Sequence, residues 1–102
     1  MYYPLSEKKT KHHYKEILEE TLSISKDNLN KYNTSLWNSI VNQILDIKEN
    51  IVQNQTIDDW EEIYDRYTLG TIAIQNFADD DEMQNRLCDI FGGAVHFDEL
   101  KD

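Results

Sequence analysis

Cysteine, proline and glycine are all scarce in this sequence, and their scarcity excludes two classes of fold. The chain has 102 residues, with one cysteine, one proline and three glycines. Because Cys88 is alone, no disulfide can form within the chain, which excludes a disulfide-rich scaffold and suits a reducing cytosol. Proline and glycine are too few to make the turns of a many-stranded sheet, whereas the composition of the periodic segments favours helices.

Long apolar runs are missing as well. No stretch approaches the roughly 18 apolar residues that a membrane-spanning helix needs. The opening MYYPLSEKKTKHH lacks the apolar core of a secretory signal. We therefore expect a soluble, cytoplasmic protein with no membrane contact, folded as one helical domain over residues 1–102.

The clearest periodic signal lies between Leu36 and Gln53. On a helical wheel all nine apolar residues of this stretch occupy one half circle, which is wider than the stripe of a lone surface helix. This pattern predicts a central helix that contacts at least two other elements. We therefore predict an all-α fold, a compact bundle of about four helices around a central amphipathic helix (about 35–53).

Three further helices are predicted from apolar spacing and capping residues. The first runs over about 6–23 with Ser6 as its cap, and a polar connection follows over 25–34. The third runs from Ile57 to about Phe77, although Thr68–Ile74 could also form a strand or a kink. The fourth begins at Asp79 or Asp80 and ends at Gly92 and Gly93. The predicted core comprises Ile17, Leu18, Trp37, Ile40, Val41, Ile44, Leu45, Ile51, Trp60, Ile63, Tyr67, Ile74, Leu87 and Ile90.

The net charge of −10 is confined to the second half of the chain. Residues 1–51 hold seven lysines and seven acids, whereas residues 52–102 hold thirteen acids and three basic residues. Such a surface is repelled by phosphate backbones and anionic lipid, so direct binding of nucleic acid is not expected. A basic protein is the natural partner.

Carboxylates crowd one face of the predicted third helix, beside Tyr64. Like charges three or four positions apart repel one another, which a basic partner would relieve, and Tyr64 could anchor that partner. A solvated helix face would have the same pattern. The predicted partner-binding residues are Asp58, Asp59, Glu61, Glu62, Tyr64, Asp65, Asp79, Asp80, Asp81 and Glu82.

Sites for catalysis or cofactors are not evident in the sequence. His12 and Glu16 share a helix face, but a zinc site needs three or four ligands. Cys88 lies among apolar residues beside Asp89, which suits a packed thiol better than a nucleophile. No phosphate-binding loop or hydrolase motif is present. We expect no enzyme activity, no cofactor and no metal.

In size, acidity and helical pattern the sequence resembles the small immunity proteins of bacteria, which block a cognate toxin, often a nuclease. In the helical immunity proteins of nuclease colicins, helix acids and two adjacent tyrosines contact the toxin, whereas Tyr64 and Tyr67 are not adjacent here. The resemblance implies a stoichiometric inhibitor with a basic toxin or nuclease domain as its partner. Two alternatives remain: a phage-type nucleic-acid mimic that blocks a defence nuclease, and a structural or oligomeric helical module such as a homodimer.

Overall fold

The protein is helical throughout the part of the chain that the computed structural model describes, residues 2–56 and 59–102. Its α-helices are α1 (Lys11–Tyr32), α2 (Ser35–Ile47), α3 (Trp60–Arg66), α4 (Leu69–Asn76) and α5 (Asp81–Val95). A π-helical segment (Lys48–Gln53) continues α2, and single 3₁₀ turns lie at Leu5–Glu7 and Phe97–Glu99. The all-α prediction is confirmed, with five α-helices in these residues where about four were expected.

The first helix begins later and ends later than predicted. Thr10, not Ser6, caps α1, because its hydroxyl accepts a hydrogen bond from the His13 amide at 3.0 Å. Most of the segment predicted as a polar connection, up to Tyr32, is instead the last part of α1. The helix ends where Asn33 adopts a left-handed conformation (φ 48°), which asparagine tolerates better than most residues. Thr34 then caps α2 by accepting a hydrogen bond from the Trp37 amide at 3.3 Å.

The apolar face of α2 is buried over a narrower stripe than its wheel suggested. Ile40, Ile44 and Ile47 are fully buried, and Ile51 extends the stripe into the π-helical segment. The prediction was wrong for Leu45, which is 39% exposed. Leu36, Trp37 and Val52 are only partly buried at the edges of the core. Packing against α1 therefore covers the middle of the apolar half circle and leaves its margins in contact with solvent.

The predicted third helix is broken into α3 and α4, so the expected uninterrupted helix was wrong and the kink was the better alternative. Tyr67 has an extended backbone at the break. Gln43 of α2 compensates for the interruption: its side-chain oxygen accepts from the Thr68 amide at 2.7 Å, and its side-chain nitrogen donates to the Thr68 hydroxyl at 2.9 Å. A side chain from another helix thus satisfies a backbone group that the break would otherwise leave unpaired.

The predicted stop at Gly92 and Gly93 was also wrong, because α5 continues to Val95. Gly93 lies directly against the ring of Tyr14, which is fully buried in α1. A methyl group at Gly93 would overlap this ring, whereas one at Gly92 would meet no atom within 4 Å. Gly93 therefore permits the close approach of α5 to α1 instead of ending the helix.

The main packing contacts converge on α5, which touches α1, α3 and α4, while α2 packs mainly on α1. Most of the predicted core is confirmed, but Trp60 and Ile74 are 57% and 66% exposed. The core also contains residues that were not predicted, including the small Ala73 and Ala94 between helices. The unpredicted core residues are Leu5, Tyr14, Leu22, Ile47, Leu69, Ala73, Met83, Ala94, Phe97 and Leu100.

Both ends of the described chain are fastened to this helical core. At the amino-terminal end, the Leu5 amide and the Tyr2 hydroxyl both donate to the Asp89 carboxylate. At the other end, the Lys11 amide donates to the Lys101 carbonyl at 2.6 Å, and Phe97 and Leu100 are buried. The last turn of the chain therefore has a defined position beside α5.

Candidate partner-binding surface

Helix α3 carries most of the predicted binding residues, and its own sequence accounts for its start. Asp59 caps it by accepting a hydrogen bond from the Glu61 amide at 3.1 Å. Glu61 and Glu62 follow in the first turn, where carboxylates favour the positive end of the helix dipole, and Arg66 stands in the last turn. A seven-residue helix is marginal in isolation, so its position must come from packing.

The inner side of α3 is fixed by buried side chains and by hydrogen bonds from Arg66 and Tyr67 to Asp46 of α2, a group that we call the clasp. Ile63 and Tyr67 are buried. Arg66 donates from two nitrogens to the Asp46 carboxylate, at 2.7 and 3.1 Å, and the Tyr67 hydroxyl donates to the same carboxylate at 2.7 Å. The hydrogen bond from Arg66 is the largest of the effects that hold the pKa of Asp46 below its ordinary value.

This clasp leaves the outer carboxylates of α3 uncompensated. By helical spacing, Arg66 lies on the opposite flank from Glu61 and Asp65, and it is already paired with Asp46. Glu61, Glu62 and Asp65 are all exposed, and within the described residues none of them forms an ion pair. The repulsion expected from the sequence is therefore present on the surface, and no ion pair in the described part of the chain offsets it.

Two aromatic side chains stand next to these acids. Tyr64, which was predicted to lie beside these acids, is 56% exposed, and Trp60, one turn earlier on the same flank, is 57% exposed. Their rings meet edge to face with centroids 5.9 Å apart, and the Tyr64 ring meets Phe91 of α5 at 5.1 Å in the same manner. Trp60 was assigned to the core from its spacing, but it lies at the margin, where a partner could cover it.

The second predicted group, Asp79–Glu82, lies elsewhere on the molecule and has local functions. Asp80 caps α5 through the Met83 amide at 3.1 Å, and Glu82 accepts from Arg86 at 3.2 Å. Asp81 and Phe91 are ten positions apart on α5, which is about 15 Å along the helix axis. All four acids are exposed, but they do not adjoin the aromatic pair of α3. Asp58, another predicted binding residue, lies outside the described residues.

Two acids that the sequence did not single out do adjoin the aromatic pair. The C-terminal 3₁₀ turn places Asp98 and Glu99 beside Trp60 and Tyr64, where together with Val95 and His96 they line a groove. Glu99 is held by His96, with 2.8 Å between Oε2 and Nδ1. No sequence signal located this neighbour, because the pairing of the tail with α3 is a tertiary contact between distant segments.

The residues considered above for metal binding and catalysis lie in settings that suit structural roles. Glu16 lies 3.8 Å from His12 and 3.6 Å from His13, and the second of these histidines also contacts the Tyr3 carbonyl. Within residues 2–56 and 59–102, no three potential ligands are grouped for a metal ion. Burial, followed by the nearby Asp89 carboxylate, raises the pKa of the Cys88 thiol, which disfavours the reactive thiolate.

Comparison with known proteins identifies one family. The family model Tsi6 matches residues 13–96, most of the chain, including α2–α5. Comparison with curated proteins and with solved structures gave no match. In the described part of the chain, every helix is too short or too polar to cross a membrane.

Proposed function

Because this chain belongs to Tsi6, a type VI secretion immunity family whose members protect against toxins, we propose that it neutralises a cognate toxin by binding it one to one through α3. An immunity protein acts by occupying its toxin, so no reaction is required of it. The observation that carries the choice of surface is the combination on α3 of exposed, unpaired carboxylates with Trp60 and Tyr64. Interfaces of high affinity place such aromatic anchors beside polar residues.

The proposed partner surface is basic. The acids of α3 attract positive charge, and their mutual repulsion falls when a cation approaches, so binding gains from both effects. A nuclease toxin, which must attract phosphate, has a surface of this kind. Association is then steered by charge: its rate should fall as salt rises from about 0.05 to 0.5 M, because the Debye length is already near 10 Å at about 0.1 M.

The test uses the cognate toxin, whose gene we expect beside that of an immunity protein, with binding measured by titration calorimetry and association rates measured by surface plasmon resonance. Reversing Glu61 and Asp65 to lysine should slow association and weaken binding. The matched control reverses Glu7 and Asp27, which lie outside α3, are also exposed and carry the same charge. Glu19 and Glu20 are unsuitable as controls, since they lie against Lys48 and the buried Arg86.

The expected result is a one-to-one complex that depends on salt and is impaired only by the α3 reversals. Equal losses from both charge reversals would mean that overall charge, and not α3, governs association. A failure of the unaltered protein to bind the toxin, together with self-association in analytical ultracentrifugation, would support the structural module instead.

A further inference from the structure

The groove between α3 and the C-terminal 3₁₀ turn combines aromatic and acidic walls. It has a volume of about 540 Å³, and its lining includes the exposed Trp60 and Tyr64 together with Asp98 and Glu99. These side chains come from two segments more than thirty residues apart, yet the fold brings them to one place. A pocket of this size lies within the range of about 300–1,000 Å³ in which proteins bind small groups.

The aromatic wall is already ordered. The Tyr64 ring packs edge to face on Phe91 with ring centroids 5.1 Å apart, and it meets the Trp60 ring in the same geometry with centroids 5.9 Å apart. A methyl group added at Gly70 of α4 would lie 3.4 Å from the Phe91 ring, so Phe91 in turn lies beside α4. Because these rings are already in contact, little conformational entropy is lost when a ligand binds to their exposed indole and phenol surfaces. The negative face of such rings attracts cations, most strongly for tryptophan.

The carboxylates surround the aromatic pair on two sides. Asp98 and Glu99 line one side of the groove, and Glu61 and Asp65 lie on the adjoining strip of α3. His96 contacts Glu99 at 2.8 Å and restricts the position of that carboxylate. A ligand that stacks on an aromatic ring and also bonds carboxylates must be planar, cationic and rich in N–H donors. Guanidinium has all three properties, whereas an ammonium group is cationic and donates N–H bonds but is not planar.

We propose that this groove receives an arginine side chain of the toxin, with its guanidinium stacked against Trp60 and Tyr64 and hydrogen-bonded to Asp98 or Glu99. The inference rests on the proposed function and specifies its anchor. It also assigns Trp60, Asp98 and Glu99 to the interface, beyond the residues expected from the sequence. The arginine contributes the desolvated contact that slows dissociation, while the outer acids of α3 accelerate association.

The experiment measures binding of the same toxin to variants that separate charge, ring and apolar area. Trp60→Leu keeps an apolar side chain but removes the ring, and Asp98→Asn with Glu99→Gln keeps shape but removes charge. Trp60 is exposed, so its loss leaves the core intact. The controls are Tyr32→Leu, at an exposed aromatic residue on α1, and Glu7→Gln with Asp27→Asn.

Trp60→Leu should weaken binding about 2- to 30-fold, the range of a cation–π contact, mainly through faster dissociation. The amide variants should also weaken binding, and both controls should not. Replacing each toxin arginine by lysine should then reveal one position whose loss is not additive with Trp60→Leu.

The possible failures are distinguishable. If the toxin binds and depends on Glu61 and Asp65 but tolerates Trp60→Leu, the arginine groove is wrong and the proposed function stands. If the unaltered protein does not bind the toxin, both are wrong. If the unaltered chain is a dimer and Trp60→Leu makes it monomeric, the occupant of the groove is a second copy of the chain and the inference is overturned.

Discussion

The two adjacent glycines of α5 should respond in opposite ways to the same substitution. Alanine is favoured over glycine inside a helix by about 1 kcal/mol, and this gain is common to Gly92 and Gly93. At Gly92 the added methyl group meets no atom within 4 Å, so Gly92→Ala should stabilise the protein by about 0.5–1 kcal/mol. At Gly93 the same group overlaps the ring of Tyr14.

Tyr14 has little freedom to move aside. It is fully buried, its hydroxyl donates to the Ile90 carbonyl at 2.7 Å, and its ring lies 5.8 Å from that of Phe97. Leu5 also lies 3.0 Å from the position that the new methyl group would take. Overpacking of this kind costs about 1–3 kcal/mol, so Gly93→Ala should be less stable than Gly92→Ala by that amount.

Urea and thermal unfolding followed by circular dichroism measure this difference. For a chain of this length each kcal/mol corresponds to about 4–8 °C in the melting temperature. Combining Gly93→Ala with Tyr14→Leu should give a loss smaller than the sum of the two single losses, because the second change removes the ring that the first one strikes. Equal stability of the two alanine variants would show that α5 does not approach α1 as closely as described here.

Three further predictions concern the core and the clasp. Ile44→Ala should lower the free energy of unfolding by about 2–5 kcal/mol in urea titrations, because Ile44 is fully buried; a negligible loss would contradict the core. Tyr67→Phe should cost about 0.5–1.5 kcal/mol through the lost hydrogen bond to Asp46, and an unchanged midpoint would contradict the clasp. The pKa of Asp46 is lowered in the folded protein, so its ionised carboxylate contributes stability at pH above the unfolded pKa of about 3.9, and this contribution is lost as pH falls through the folded pKa. Between about pH 5 and 2, the free energy of unfolding of the natural protein should therefore depend more steeply on pH than that of Asp46→Asn. Parallel pH curves would mean that Arg66 does not stabilise the ionised carboxylate.

Local properties of the sequence were enough to predict the class of fold and much of the core. Apolar spacing predicted the buried residues Ile40, Ile44 and Ile51, since burial of one helix face follows directly from a period of 3.6 residues. A capping residue acts within three residues of its own position, so Asp80 could be predicted as a cap from its neighbours, although Ser6 was wrongly predicted as the cap of α1. The uneven distribution of charge along the chain is also a property of the sequence alone, and the exposed acids of α3 place part of that charge on the surface.

Contacts between distant segments decided the rest. The break after α3 depends on Gln43 and Asp46 of another helix, which satisfy the Thr68 amide and hold Arg66. Gly93 continues a helix because Tyr14 lies against it. These outcomes depend on which helix faces which, and a helical period does not contain that information.

The candidate site shows the same division. The sequence determined that carboxylates and Tyr64 share one helix, because residues at helical spacing must share a face. Only the tertiary structure exposed Trp60 at the margin of the core and brought Asp98 and Glu99 beside it. The physical reason is that a side chain's burial and its long-range neighbours are set by the packing of whole elements, whereas its helical face is set by the backbone around it.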